Sequence, residues 1–169
     1  MEAYIEEQGF YNKWRYYFVP FLGFCIIIFV LSFLKQTTLT FEIFIPPIFV
    51  ILGIIVFVYL KLYTRIDKKS IQIKFNLFML KSKEIKWSEI KSVTFYKYTS
   101  IFEFGGWGYR KNLLNGRVVY NVYGNKGIKI VLLNNKTIVV GSNDLEKMKT
   151  YLLYLKDKYQ IAALAAINQ

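Results

Sequence analysis

Histidine is absent from this chain of 169 residues, and cysteine occurs once, as Cys25. The first absence removes the commonest general base and the commonest metal ligand together. The second excludes an intramolecular disulfide framework and leaves Cys25, inside an apolar run, as a small packing residue. Acidic residues are also scarce, 11 against 23 Lys and Arg. No two of the acids sit at a spacing that makes a metal site or an acid/base pair, and no Ser–Lys nucleophile stands out. The chain therefore reads as non-catalytic, with no cofactor and no metal.

What is present is apolar and aromatic: 54% hydrophobic residues and 19% aromatics. Two uncharged runs, Phe18 to Leu34 and Ile43 to Leu60, hold 17 and 18 residues. At the helical rise each reaches ~26 Å, against a hydrocarbon core of ~30 Å, so they are expected to form a transmembrane helical hairpin over 16–63. Pro46 and Pro47 suit a first helical turn, which places the second helix from about Pro46 to Tyr63. Neither Gly23 nor Gly53 completes a small-residue packing motif, so oligomerisation is not indicated.

Trp14, Tyr16 and Tyr17 precede the first run, and Tyr59 and Tyr63 end the second, as ring belts at a headgroup layer do. Lys61, Arg65, Lys68 and Lys69 follow as a basic cluster, expected to contact the membrane surface and anionic lipid headgroups or simply to set topology. All of the net charge of +12 lies from Thr64 onward. This bias predicts a multi-pass protein of the inner (cytoplasmic) membrane with both termini cytoplasmic and 1–15 as a loose tail.

After Tyr63 the hydrophobic period changes from helical to two. Ile71, Ile73 and Phe75 alternate with Gln72, Lys74 and Asn76, as in a half-buried strand. Leu77–Leu80 reads as another strand and 81–84 as a polar turn. Further strands are expected around Val93–Phe95, Arg117–Tyr123, Gly127–Leu133 and Thr137–Val140, with Asn134 and Asn135 in a tight turn. Leu145, Met148, Leu152, Leu155 and Tyr159 form one helical stripe, with Asn143 as N-cap and Glu146 completing a capping box. Residues 161–167 either prolong that helix or touch the membrane.

Three local patterns carry a resemblance. Ile85-Lys86-Trp87-Ser88-Glu89-Ile90 with Val93 resembles the W-S-E-I-x-x-V segment of bacterial pleckstrin-homology-like (PH-like) domains. Gly105-Gly106-Trp107-Gly108-Tyr109-Arg110 looks like the GGWGxR of small bacterial two-helix membrane proteins that carry such a domain. Gly127–Ile130 through Val140–Ser142 is similar to their last hairpin. The resemblance implies an α+β fold: after the membrane hairpin, a PH-like β-barrel or sandwich of about seven antiparallel strands over 64–169, capped by the C-terminal helix. Lys68 and Lys69 fall near the first-hairpin turn that binds phosphoinositides in eukaryotic PH domains, without that motif.

The glycine-rich segment has two readings. Gly105, Gly106 and Gly108 shape a binding loop in which Trp107 anchors and Arg110 grips a carboxylate or phosphate; or they shape a structural corner. The function expected from all of this is a membrane-anchored interaction module for another membrane or cytoplasmic protein, or for lipid headgroups at the bilayer. The alternatives are an immunity factor against a membrane-acting toxin and an anionic-lipid sensor. Tyr96-Lys97-Tyr98 lacks any accompanying nucleic-acid motif, and no nucleic acid is expected as a partner.

Overall fold

The computed structural model describes residues 2–35, 45–76, 79, 81–99, 103, 106, 108–111, 116–165 and 167, with backbone alone at 11–15, 17, 18, 32, 45, 46, 56 and 57. The chain divides into two compact units: residues 9–60, and residues 1–8 with 61–169. The helical unit is thus an excursion between two neighbouring strands rather than a segment ahead of the domain. A bond from the Phe10 N–H to the Leu60 carbonyl, 3.4 Å, joins its two ends.

That unit holds α1 (Phe10–Lys35) and α2 (Ile45–Tyr59). Both are shaped by apolar composition, and they overturn the expected transmembrane hairpin. Among the described residues no helix is long and apolar enough to cross a membrane. The 15 residues of α2 reach only ~22 Å, because the chain leaves the helix after Tyr59 and turns to strand at Lys61. The first third of α1 carries Asn12, Lys13 and Arg15 among its aromatics, and Pro20 lies inside the helix. The multi-pass inner-membrane placement falls with the hairpin. Phe21, Phe24, Ile27 and Leu34 on α1, and Ile48, Phe49 and Leu52 on α2, are each more than half exposed.

The larger unit contains two sheets. One has the order β1-β2-β3-β4, from β1 (Tyr4–Gly9), β2 (Lys61–Ile66), β3 (Ser70–Phe75) and β4 (Lys83–Lys86). The other has the order β5-β8-β9-β7-β6, from β5 (Ile90–Lys97), β6 (Gly108–Lys111), β7 (Val118–Asn121), β8 (Lys126–Leu132) and β9 (Thr137–Gly141). The expected closed barrel of about seven antiparallel strands is therefore corrected. Strands lie in two separate sheets, and β7 runs parallel to β9. Sequence alternation reports which side chains point inward, but not strand order or direction. The segment expected as a loose tail supplies β1.

Where period two was legible, burial follows it. Leu62 and Ile66 on β2, and Ile71, Ile73 and Phe75 on β3, are fully buried. The central strand β9 is buried along nearly its whole length, as a strand covered on both faces should be. Its Val139 packs with Val119 and Tyr98. α3 (Leu145–Tyr159) adds Met148, Leu152 and Leu155 to the core. Its N-cap is Asp144, one residue beyond the expected Asn143, and the Asp144 carboxylate accepts from the Lys147 N–H at 3.2 Å. Gln160 in the left-handed conformation ends the helix, and a 3₁₀ turn at Ala162–Leu164 follows. Ala163, Leu164 and Ile167 are buried, so this segment packs into the unit and does not prolong α3. The expected strand at 77–80 lies almost wholly outside the described residues.

Gly127 and Gly141 face each other across β8 and β9. A Cβ on Gly127 would overlap the Val140 carbonyl oxygen and lie 2.8 Å from Gly141 Cα. Gly127→Ala is therefore expected to unseat the β8–β9 pair and lower the denaturation midpoint, while Leu152→Ala should cost ~2–5 kcal/mol in chemical unfolding. Burial raises the Tyr98 and Tyr120 hydroxyls to about 12. An unfolded tyrosine ionises near ~10, so the folded state holds these protons where the unfolded state has released them. Their contribution to stability should be level below pH ~10 and fall between there and about 12; Tyr120→Phe should flatten that fall in denaturant titrations at stepped pH.

Candidate binding pocket

The β2–β3 connection is fixed by Asp67. Its carboxylate accepts from the N–H groups of Lys69 and Ser70 at 2.8 and 3.0 Å, and its own N–H donates to the Ser70 carbonyl. The Asp67 carbonyl accepts from the Trp87 indole N–H at 2.9 Å, which anchors the turn to the segment after β4. Short polar side chains that close such rings make rigid turns. Lys68 sits at the tip.

Facing it is α3. Tyr151, Tyr154 and Lys158 recur at spacings of three and four and share one flank of the helix. The Tyr151 and Tyr154 rings are 6.0 Å apart. The Lys158 ammonium donates to the Tyr154 hydroxyl at 2.8 Å and lies 5.2 and 5.7 Å from the Tyr154 and Tyr159 ring centroids. With Glu2, Lys68 and Tyr159 these residues line a partly open pocket of 360 Å³, within the range of small-molecule sites. The bond to Tyr154 raises the Lys158 ammonium above its ordinary range, so it stays cationic at neutral pH. Burial raises the Tyr151 hydroxyl, with the Asp67 carboxylate adding to it.

The third wall comes from the N-terminus. The Tyr151 hydroxyl donates to the Glu2 carbonyl at 3.3 Å, and its ring lies 6.3 Å from that of Tyr4 on β1. β1 is held by the buried Glu6. One carboxylate oxygen accepts from the Tyr4 and Ser142 hydroxyls at 2.6 and 2.8 Å, and the other from the Asn143 N–H at 2.6 Å. Gln8 donates to the Gly141 carbonyl at 2.7 Å.

Of the residues singled out in the sequence, Lys68 lines the pocket, and Arg65 and Lys69 belong to the same turn. Arg65 approaches Asp67 at 3.6 Å. Lys61 pairs with Glu7 at 2.6 Å instead. Tyr63 lies within β2, not at a helix end. Tyr16 and Tyr59 are exposed on α1 and α2. The side chains of Trp14 and Tyr17, and Gly105 and Trp107 altogether, lie outside the described residues. Gly106 and Gly108 have φ of 119° and 112°, and the Gly108 N–H donates to the Asn121 side chain at 3.1 Å. That geometry is a bend leading into β6, on which Arg110 is exposed. The Arg110 guanidinium returns to within 3.5 Å of where a Gly106 Cβ would stand.

Sequence reasoning missed Glu2, Tyr151, Tyr154, Lys158 and Tyr159 as site residues. The signal available was the second flank of the C-terminal helix, where two tyrosines and a lysine run beside the core stripe. Among the described residues no group of three Cys, Asp or Glu side chains could hold a metal ion. No family model matches the chain, and no curated protein or solved structure matches it.

Proposed function

We propose that this chain is a non-catalytic binding module, and that the pocket between the β2–β3 turn and α3 takes a phosphate ester. The observation that carries this reading is that two lysines from separate elements, Lys68 and Lys158, line one tyrosine-rich pocket. A phosphate ester offers several acceptor oxygens to ammonium and phenol donors at once. The rings of Tyr154 and Tyr159, backed by the buried Tyr151, supply flat apolar area for the organic part of the ligand.

Support for the non-catalytic part comes from the acids. Glu6 holds β1, Glu7 pairs with Lys61, and Asp67 closes a turn. Glu84 accepts from Ser70, Glu103 from Tyr96 and the Thr99 N–H, and Asp144 caps α3. Each of these carboxylates is committed to structure, in a chain with no histidine to share the work.

Phenyl phosphate titrated into the full chain, followed by calorimetry, should bind saturably and more weakly as salt rises. Lys68→Ala and Lys158→Ala should each weaken it by ~10-fold or more, as expected for a lost charged hydrogen bond. Vesicles containing phosphatidic acid form a second arm. Lysine-dependent binding there alone assigns the ester to a lipid headgroup, and in the soluble arm alone to a free ligand. Equal affinity for benzoate, or no lysine-dependent binding in either arm, would overturn the proposal.

A further inference from the structure

Resting on that reading, we infer that Glu6 is a positioning residue for the pocket: it straps β1 across the unit and thereby sets the wall that Glu2 provides. Glu6 is itself outside the pocket. The residue is 9% exposed, and its carboxylate reaches from an edge strand of one sheet to Ser142 and Asn143, just past β9 of the other. All three of its donors are neutral. A buried carboxylate without a cation is tolerated only when its oxygens are hydrogen-bonded, so β1 either docks with the full set or leaves with the charge.

The connection to the pocket is short. Tyr4 donates to Glu6 and packs its ring on Tyr151. Two residues earlier, the Glu2 carbonyl accepts from the Tyr151 hydroxyl inside the pocket. When β1 detaches, the pocket loses Glu2, and Tyr151 loses both its acceptor and the ring beside it. A ligand that uses this wall must favour the strapped state, and the coupling is reciprocal: strapping strengthens binding by the factor by which binding strengthens strapping. Ser142 also accepts from the Asp144 N–H at 3.2 Å, so the strap meets α3 at its N-cap as well as at the pocket.

The test combines amide exchange at Tyr4–Gly9 with phenyl phosphate affinity. Glu6→Ala should speed exchange of the β1 amides and lower affinity by a similar factor, ~5-fold or more. Glu6→Gln should restore most of both. Its carbonyl can accept from the Asn143 N–H, while its amide donates to the Tyr4 or Ser142 hydroxyl. In the unaltered chain, phenyl phosphate should slow exchange across β1 while leaving β8 unchanged, a measurement that needs no variant to fold. Faster β1 exchange with unchanged affinity would overturn the strap and leave the pocket standing. Unchanged exchange in Glu6→Ala, or no ligand effect on β1 in the unaltered chain, would overturn it too. Loss of phenyl phosphate binding by the unaltered chain would instead remove the pocket reading itself.

Discussion

One buried carboxylate governs how this chain closes on itself. Glu6 carries a negative charge into the interior of a strongly basic protein and satisfies it with two hydroxyls and one backbone N–H. Burial without those donors would cost several kcal/mol. The N-terminal strand is therefore obliged to lie where Ser142 and Asn143 wait for it. From that obligation comes the discontinuous domain: β1 and β2 are neighbours in one sheet, yet residues 9–60 separate them along the chain.

The pocket inherits its shape from three rigid supports. Asp67 closes the turn that carries Lys68, and Trp87 pins that turn from behind. The core stripe of α3 fixes the helix and so presents Tyr151, Tyr154 and Lys158 on its neighbouring flank. Glu6 supplies the last wall through β1. Among the described residues the glycine-rich segment contributes none of the pocket lining; its Gly106 and Gly108 make a bend, and its Arg110 sits on an outer strand.

Particular residues show how far the sequence could be read. The alternation Ile71, Ile73, Phe75 and the stripe Met148, Leu152, Leu155 each identified a buried face, because side-chain direction follows directly from the backbone period. Asn135, with φ of 60°, sits in the turn that its tolerance of that conformation suggests. The apolar runs were visible too, but their reading as a membrane hairpin was not sustained, since α2 stops after 15 residues and Lys61–Ile66 becomes strand. Lys68 was visible as a cation near a turn. Its partners across the pocket were not, because Lys158 is 90 residues away and nothing in a one-dimensional pattern pairs the two.

By itself, then, the sequence determined the alternating strand Ser70–Phe75, the amphipathic helix Leu145–Tyr159, their inward faces and the exclusion of histidine and disulfide chemistry, since these depend on local propensity and composition. Tertiary structure alone decided that β1 belongs to the domain, that β7 runs parallel to β9, and that two lysines and three tyrosines share one pocket. The division has a physical cause. Side-chain direction is set within a few residues, whereas strand partnership and pocket composition depend on which distant surfaces can satisfy each other's buried polar groups.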